Sequence, residues 1–226
     1  KPMSIYQNYL ALRREFKALH QLEHPNVVRM YGVSTDDASK ICILLEFSAR
    51  GSLRAALERN PEEFVGLRPP HTPQEQAQIA VVLGVARGMA FLHRNDVLHH
   101  DLKAENVLLW GEGPSIVAKL TDFNLATGIS DATTRSTQHQ SMGAGTFVYT
   151  APETFGTGTY SQASEVYAWA VLAWEVMMGE VAWKDIPPRM LMIRLPMLVF
   201  SDGKRPEIPS ALANTGLAQL VVRCWV

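Results

Sequence analysis

The chain has 226 residues, 47% of them hydrophobic and 19% charged, and a formal net charge of −1. That length suffices for one large core or two small lobes, while the balanced charge gives no footprint for nucleic acid. No run reaches the ~20 apolar residues of a membrane span: Ala168 to Met178 comes nearest, and Glu175 interrupts it.

Cys42 and Cys224 are the two cysteines, far apart in sequence. They argue against a disulfide framework and for a reducing, cytoplasmic setting. Ile5 to Leu22 reads as a helix, with Leu12, Phe16, Leu19 and Leu22 at helical spacing. His24-Pro25-Asn26 stops it. Val27 to Val33 and Ile41 to Phe47 are strand-like, joined by a polar stretch from Ser34 to Lys40. Ser52 suits a helix N-cap. Thr72-Pro73-Gln74-Glu75 is a clear helix start, with Thr as cap, Pro at the first position and Glu closing a capping box. That helix is expected to bring Ile79, Val82, Leu83, Ala86, Met89, Ala90 and Leu92 into the core. Asn95-Asp96 turns the chain into a polar loop.

Val107 to Trp110 reads as a short strand, Gly111 to Pro114 as a turn, and Ser115 to Thr121 as the return strand. Such a hairpin sets its outer ends side by side, so Asn106 is expected to face Asp122, with Asp101 and Lys103 on the loop just before. Leu125 to Ala144 is polar and reads as a surface loop. Ser164 to Met178 is an apolar helix and so buried. Pro187-Pro188 opens a helix to about Phe200, Arg205 to Pro209 is a rigid connector, and Leu212 to Trp225 reads as a last amphipathic helix.

The polar set at the hairpin suits phosphoryl transfer from a nucleotide, where catalysis is mostly positioning and electrostatics. Asp122 and Asn106 offer hard oxygens suited to magnesium. Asp101 can accept a proton from an attacking hydroxyl. Lys103 can meet a phosphate as a point charge. The histidines show no metal-binding spacing.

His99-His100-Asp101-Leu102-Lys103-Ala104-Glu105-Asn106 resembles the protein-kinase catalytic loop H-R-D-L-K-x-x-N, and Asp122-Phe123-Asn124 resembles D-F-G. Gly145 to Glu153 is similar to the kinase substrate-binding segment ending in A-P-E. The resemblance runs from Glu15 to Trp225. It implies an α+β, bilobal kinase-like fold: a partial β-rich small lobe over residues 1–47 and a mostly helical large lobe over residues 48–226. It also implies ATP and Mg²⁺ as cofactors and a protein hydroxyl as substrate. Under the resemblance Asp101 is the base, Lys103 and Glu15 belong to the catalytic set, and Asn106 and Asp122 hold the metal. The backbone of Glu46, Phe47 and Ser48 binds the adenine edge, Leu45 guards the pocket behind it, and Leu108 lies beneath the base. His99 corresponds to a buried structural histidine, and Thr146 to a threonine bracing Asp101 and Lys103. Thr133, Thr134, Ser136, Thr137 and Ser141 become candidate phosphorylation sites on an activation loop.

Lys103 with Glu105-Asn106, and Gly145-Thr146, favour serine/threonine specificity. His24 to Val28, Glu46-Phe47 with Gly51-Ser52-Leu53, Arg205 to Pro209 and Cys224-Trp225 resemble the tyrosine-kinase-like branch. Three positions depart from the family pattern. His100 replaces an arginine that commonly receives the loop phosphate, so weaker dependence on loop phosphorylation is expected. Asn124 replaces the D-F-G glycine, and Asn tolerates φ > 0 better than other non-glycine residues. Glu165 replaces an aspartate that braces the catalytic loop, and its extra methylene is expected to loosen that brace. No G-x-G-x-x-G is present, which suggests a piece of a larger kinase with regulatory domains outside it. The competing reading is a pseudokinase or allosteric scaffold with little transfer.

Overall fold

The computed structural model describes residues 23–37, 40–64, 72–122, 127–128 and 146–225. A small β-containing region precedes a larger helical one in a bilobal α+β arrangement. In the first region β1 (Met30–Asp37) pairs antiparallel with β2 (Lys40–Leu45). The polar stretch expected as a connection is largely strand, with pairing running from Ser34↔Cys42 to Asp37↔Lys40. Ladder bonds join main-chain groups, which every residue except proline carries in full, so a polar composition does not forbid a strand. Val27 and Val28, expected in that strand, instead meet Leu120: Val28 N donates to Leu120 O at 2.8 Å, and Leu120 N donates to Asn26 O at 2.9 Å. The helix expected before His24, and Glu15 with it, lie outside the described residues.

The second region contains α1 (Leu53–Arg59), α2 (Pro73–Arg94), β3 (Val97–Leu98), β4 (Val107–Trp110), β5 (Val117–Leu120) and β6 (Thr127–Gly128). It continues with α3 (Pro152–Thr157), α4 (Gln162–Met178), α5 (Pro188–Leu195) and α6 (Gly216–Arg223). β3 pairs with β6, and β4 with β5. Ser52 caps α1 through Ala55 N, and Thr72 caps α2 through Glu75 N at 3.2 Å. Ser161 and Ser164 close a capping box on α4. These satisfy backbone donors that the first turn of a helix leaves without partners.

α4 is buried along most of its length, as its composition requires, and packs on α2 and α6. Trp169 Nε1 donates to Val82 O at 3.0 Å, so a buried indole keeps a partner. The buried face of α2 is Ala77, Val81, Val82, Val85, Met89 and Leu92, with Gly84 and Gly88. Ile79 and Leu83, expected in the core, are exposed, and so is Ala90. They line a groove of about 900 Å³ with Leu212, Leu217 and Leu220. The two glycines explain the offset: they let α2 approach Asn26 and β5, which turns Ile79 and Leu83 away. A Cβ on Gly88 would lie 2.6 Å from Asn26 O and 3.0 Å from Leu120 Cδ1.

Candidate active site

The loop between β3 and β4 is organised from below by His99. Its ring is fully buried, with Nε2 2.9 Å from Thr121 O. Asp101 N donates to His99 Nδ1 at 3.4 Å. His100 then adopts φ +66°, uncommon for a residue with a Cβ. Its N–H donates to Glu165 Oε1 at 2.7 Å, and Glu165 Oε2 lies 2.7 Å from His93 Nε2. The extra methylene of Glu165 therefore does not loosen the brace. It lets one carboxylate reach both the loop and the end of α2. Burial lowers the pKa of His100, and its ring meets Tyr160 edge-on at 5.1 Å.

The Asp101 carboxylate is the focus of the loop. Lys103 Nζ donates to Asp101 Oδ2 at 2.6 Å and to Thr146 Oγ1 at 3.2 Å. Thr146 Oγ1 donates to Asp101 Oδ1 at 3.3 Å. Asn106 Nδ2 donates to Asp101 O at 2.8 Å and to Oδ2 at 3.0 Å. Asp101, Lys103, Asn106 and Thr146 are thus one group. The β4–β5 register pairs Val107 with Leu120, and Thr121 N donates to Asn106 O at 2.9 Å. So Asn106 stands opposite Thr121, one residue short of Asp122, which follows with φ +66°. Phe123 and Asn124 lie outside the described residues, as do the five candidate phosphorylation sites.

The segment from Glu46 to Ser52 is stitched to the same hairpin. Ser48 Oγ donates to Leu109 O at 2.5 Å, and Leu109 N donates to Gly51 O at 3.0 Å. Ser52 bridges Leu108. Glu46 pairs with Lys119, whose Nζ lies 2.6 Å and 2.7 Å from the two carboxylate oxygens. Phe47 turns its side chain outward, 82% exposed. Leu108 is half-buried.

Sequence reasoning missed a buried ionic cluster beneath this site. Arg54 Nη2 donates to both oxygens of Glu175 at 3.0 Å and to Tyr149 Oη at 2.8 Å, and Arg54 Nε donates to Glu105 at 3.1 Å. Tyr149 Oη donates to Glu175 Oε2 at 2.5 Å and accepts from Ala104 N at 3.3 Å. Ala182 N donates to Glu175 Oε1 at 3.0 Å. The signal is Glu175, a charge set in the apolar second half of α4, since a buried charge must be paired.

The protein tyrosine and serine/threonine kinase family matches residues 3–226. The chain belongs to that family, and it is a protein kinase domain of the serine/threonine type. It is 32% identical over 223 residues to a probable serine/threonine-protein kinase of Dictyostelium discoideum, covering 94% of this chain and 15% of that protein. It is 28% identical over 212 residues to serine/threonine-protein kinase STY17 of Arabidopsis thaliana, covering 94% and 33%. It is 32% identical over 224 residues to mitogen-activated protein kinase kinase kinase 11 of Rattus norvegicus, covering 95% and 24%. The chain thus spans a third or less of the length of these relatives.

Proposed function

We propose that the protein transfers the γ-phosphate of ATP to a serine or threonine hydroxyl of a protein substrate. The observation that carries this reading is the Asp101 carboxylate held by Lys103, Thr146 and Asn106 together. In it Asp101 accepts the proton of the incoming hydroxyl. The Lys103 ammonium, shared between Asp101 and Thr146, is held beside the base, and in this reading it meets the charge that develops on the transferred group. Thr146 ties the segment that presents the substrate to the loop that acts on it.

Asn106 and Asp122 fit a magnesium ion. Asn106 directs its side-chain Nδ2 to Asp101, and these bonds leave its side-chain Oδ1 available as a ligand. One amide oxygen and one carboxylate make the sparse protein share that magnesium takes, water and phosphate oxygens completing its shell. When bound, Mg·ATP supplies the phosphoryl group and neutralises its charge. The backbone from Glu46 to Ser48 takes the adenine edge, Leu45 guards the pocket behind it, and Leu108 lies under the base. Glu15 keeps its place in the catalytic set as a proposal, as do the division at residue 47 and the cytoplasmic location. Among the described residues no helix is long and apolar enough to cross a membrane. The scaffold reading draws on His100, Asn124, Glu165 and the absent G-x-G-x-x-G, and the bond from His100 N to the Glu165 carboxylate speaks against it.

The test is labelled phosphate transfer from Mg·ATP by the full-length protein, followed by phosphoamino-acid analysis. Magnesium-dependent phosphoserine or phosphothreonine supports the reading. No transfer, or phosphotyrosine alone, contradicts it.

A further inference from the structure

Lys119 has no part in the chemistry above, yet two groups hold it, a carboxylate and an indole ring. Its Nζ lies 2.6 Å and 2.7 Å from the Glu46 oxygens and 4.7 Å from the centre of the Trp110 ring. Both partners of the ion pair are mostly buried, at 17% and 20% side-chain exposure. Lys119 is the Cα partner of Leu108 across the β4–β5 ladder. Residues directly opposite in a ladder share a face, so Lys119 stands beside the leucine proposed to lie under the base. Glu46 begins the backbone proposed to take the adenine edge, and Lys119 lies three residues before Asp122.

The fastenings of the hinge to the hairpin divide by strand. Ser48, Gly51 and Ser52 reach β4. The Glu46–Lys119 pair reaches β5, the strand that runs into Asp122. Adenine contacts and metal contacts thus sit at opposite ends of a short rigid path: Glu46, Lys119, β5, Asp122. With its ammonium between Trp110 and Glu46, Lys119 is committed to this path rather than to a phosphate.

We propose that Lys119 is a positioning residue for the nucleotide, setting the hinge at a fixed distance from Asp122 through Glu46. This rests on the kinase reading above. The pair touches no reacting atom, so its loss acts on nucleotide affinity and not on the transfer step.

The test uses the full-length protein and the fluorescent nucleotide mant-ADP with magnesium. Lys119→Met and Glu46→Gln should each raise the dissociation constant three- to tenfold. The double change Glu46→Lys with Lys119→Glu, which restores opposite charges, should return it to within about twofold. In transfer assays of Lys119→Met the ATP KM should rise with kcat unchanged. Glu46→Gln keeps the shape of the side chain and serves if Lys119→Met fails to fold. Equal affinity in wild type and single variants, or a swap no better than either, overturns the proposal and leaves the kinase reading standing. A wild-type protein that binds no mant-ADP overturns both.

Discussion

Glu165 accepts the backbone N–H of His100 at 2.7 Å with one oxygen and reaches His93 Nε2 at 2.7 Å with the other. One carboxylate, 3% exposed, thereby joins α4, the end of α2 and the catalytic loop. Glu165→Ala leaves a buried donor without its acceptor, at a cost of about 1–3 kcal/mol. Glu165→Asp is shorter and should keep one contact and lose the other. Urea unfolding should rank the two variants in that order, with kcat falling in parallel as His100 and Asp101 lose their support.

Arg54 and Glu175 are the second joint. Arg54→Met strands a carboxylate that is fully buried, and breaking such a pair costs about 3–5 kcal/mol. The pH dependence has a defined sign. Burial pushes the Glu175 carboxyl above its usual range, while Arg54 pulls it back. A raised folded-state pKa gives stability that is fully present below the unfolded value of ~4.3 and lost as pH rises through the folded value. Removing Arg54 raises that folded value further. The Arg54→Met protein should therefore gain more thermal stability than wild type when moved from neutral pH to about pH 5. An equal response would show that Glu175 does not feel Arg54.

Gly88 measures how closely α2 approaches β5. A methyl group there meets Asn26 O at 2.6 Å and Leu120 at 3.0 Å, so backbone must move. Gly88→Ala should cost about 1–3 kcal/mol despite its better helix propensity. A stabilised variant in chemical denaturation would show that the contact yields freely.

Much of this was legible from the chain. The caps at Ser52 and Thr72, the strand Val107–Trp110 and the buried helix ending at Met178 follow from local chemistry, and each appears where its residues predict. The errors came from long-range packing. Ile79 and Leu83 have core spacing on paper, and only the approach allowed by Gly84 and Gly88 decides which face of α2 goes inward. The polar residues of β1 carry no alternating apolar pattern, and backbone pairing with β2 is a signal that side-chain pattern does not announce. Arg54 carries no local signal, because its partners lie 51, 95 and 121 positions away.

His100 stands where the family pattern has an arginine. Burial lowers its pKa, so at neutral pH it carries no charge to offer a phosphate. Phosphorylating the loop from Leu125 to Ala144 should therefore change kcat by less than about threefold, and His100→Arg should increase that response. A large gain in the wild-type protein, read by comparing phosphatase-treated and untreated samples, would contradict this.

The proposed transfer turns on Asp101 as its base. Its most direct test is labelled-phosphate transfer from Mg·ATP by the full-length protein beside an Asp101→Asn copy, with mant-ADP binding measured on both. Transfer should fall by a factor on the order of 10²–10⁴ in the variant while nucleotide binding persists. Transfer at the wild-type rate by Asp101→Asn would contradict it.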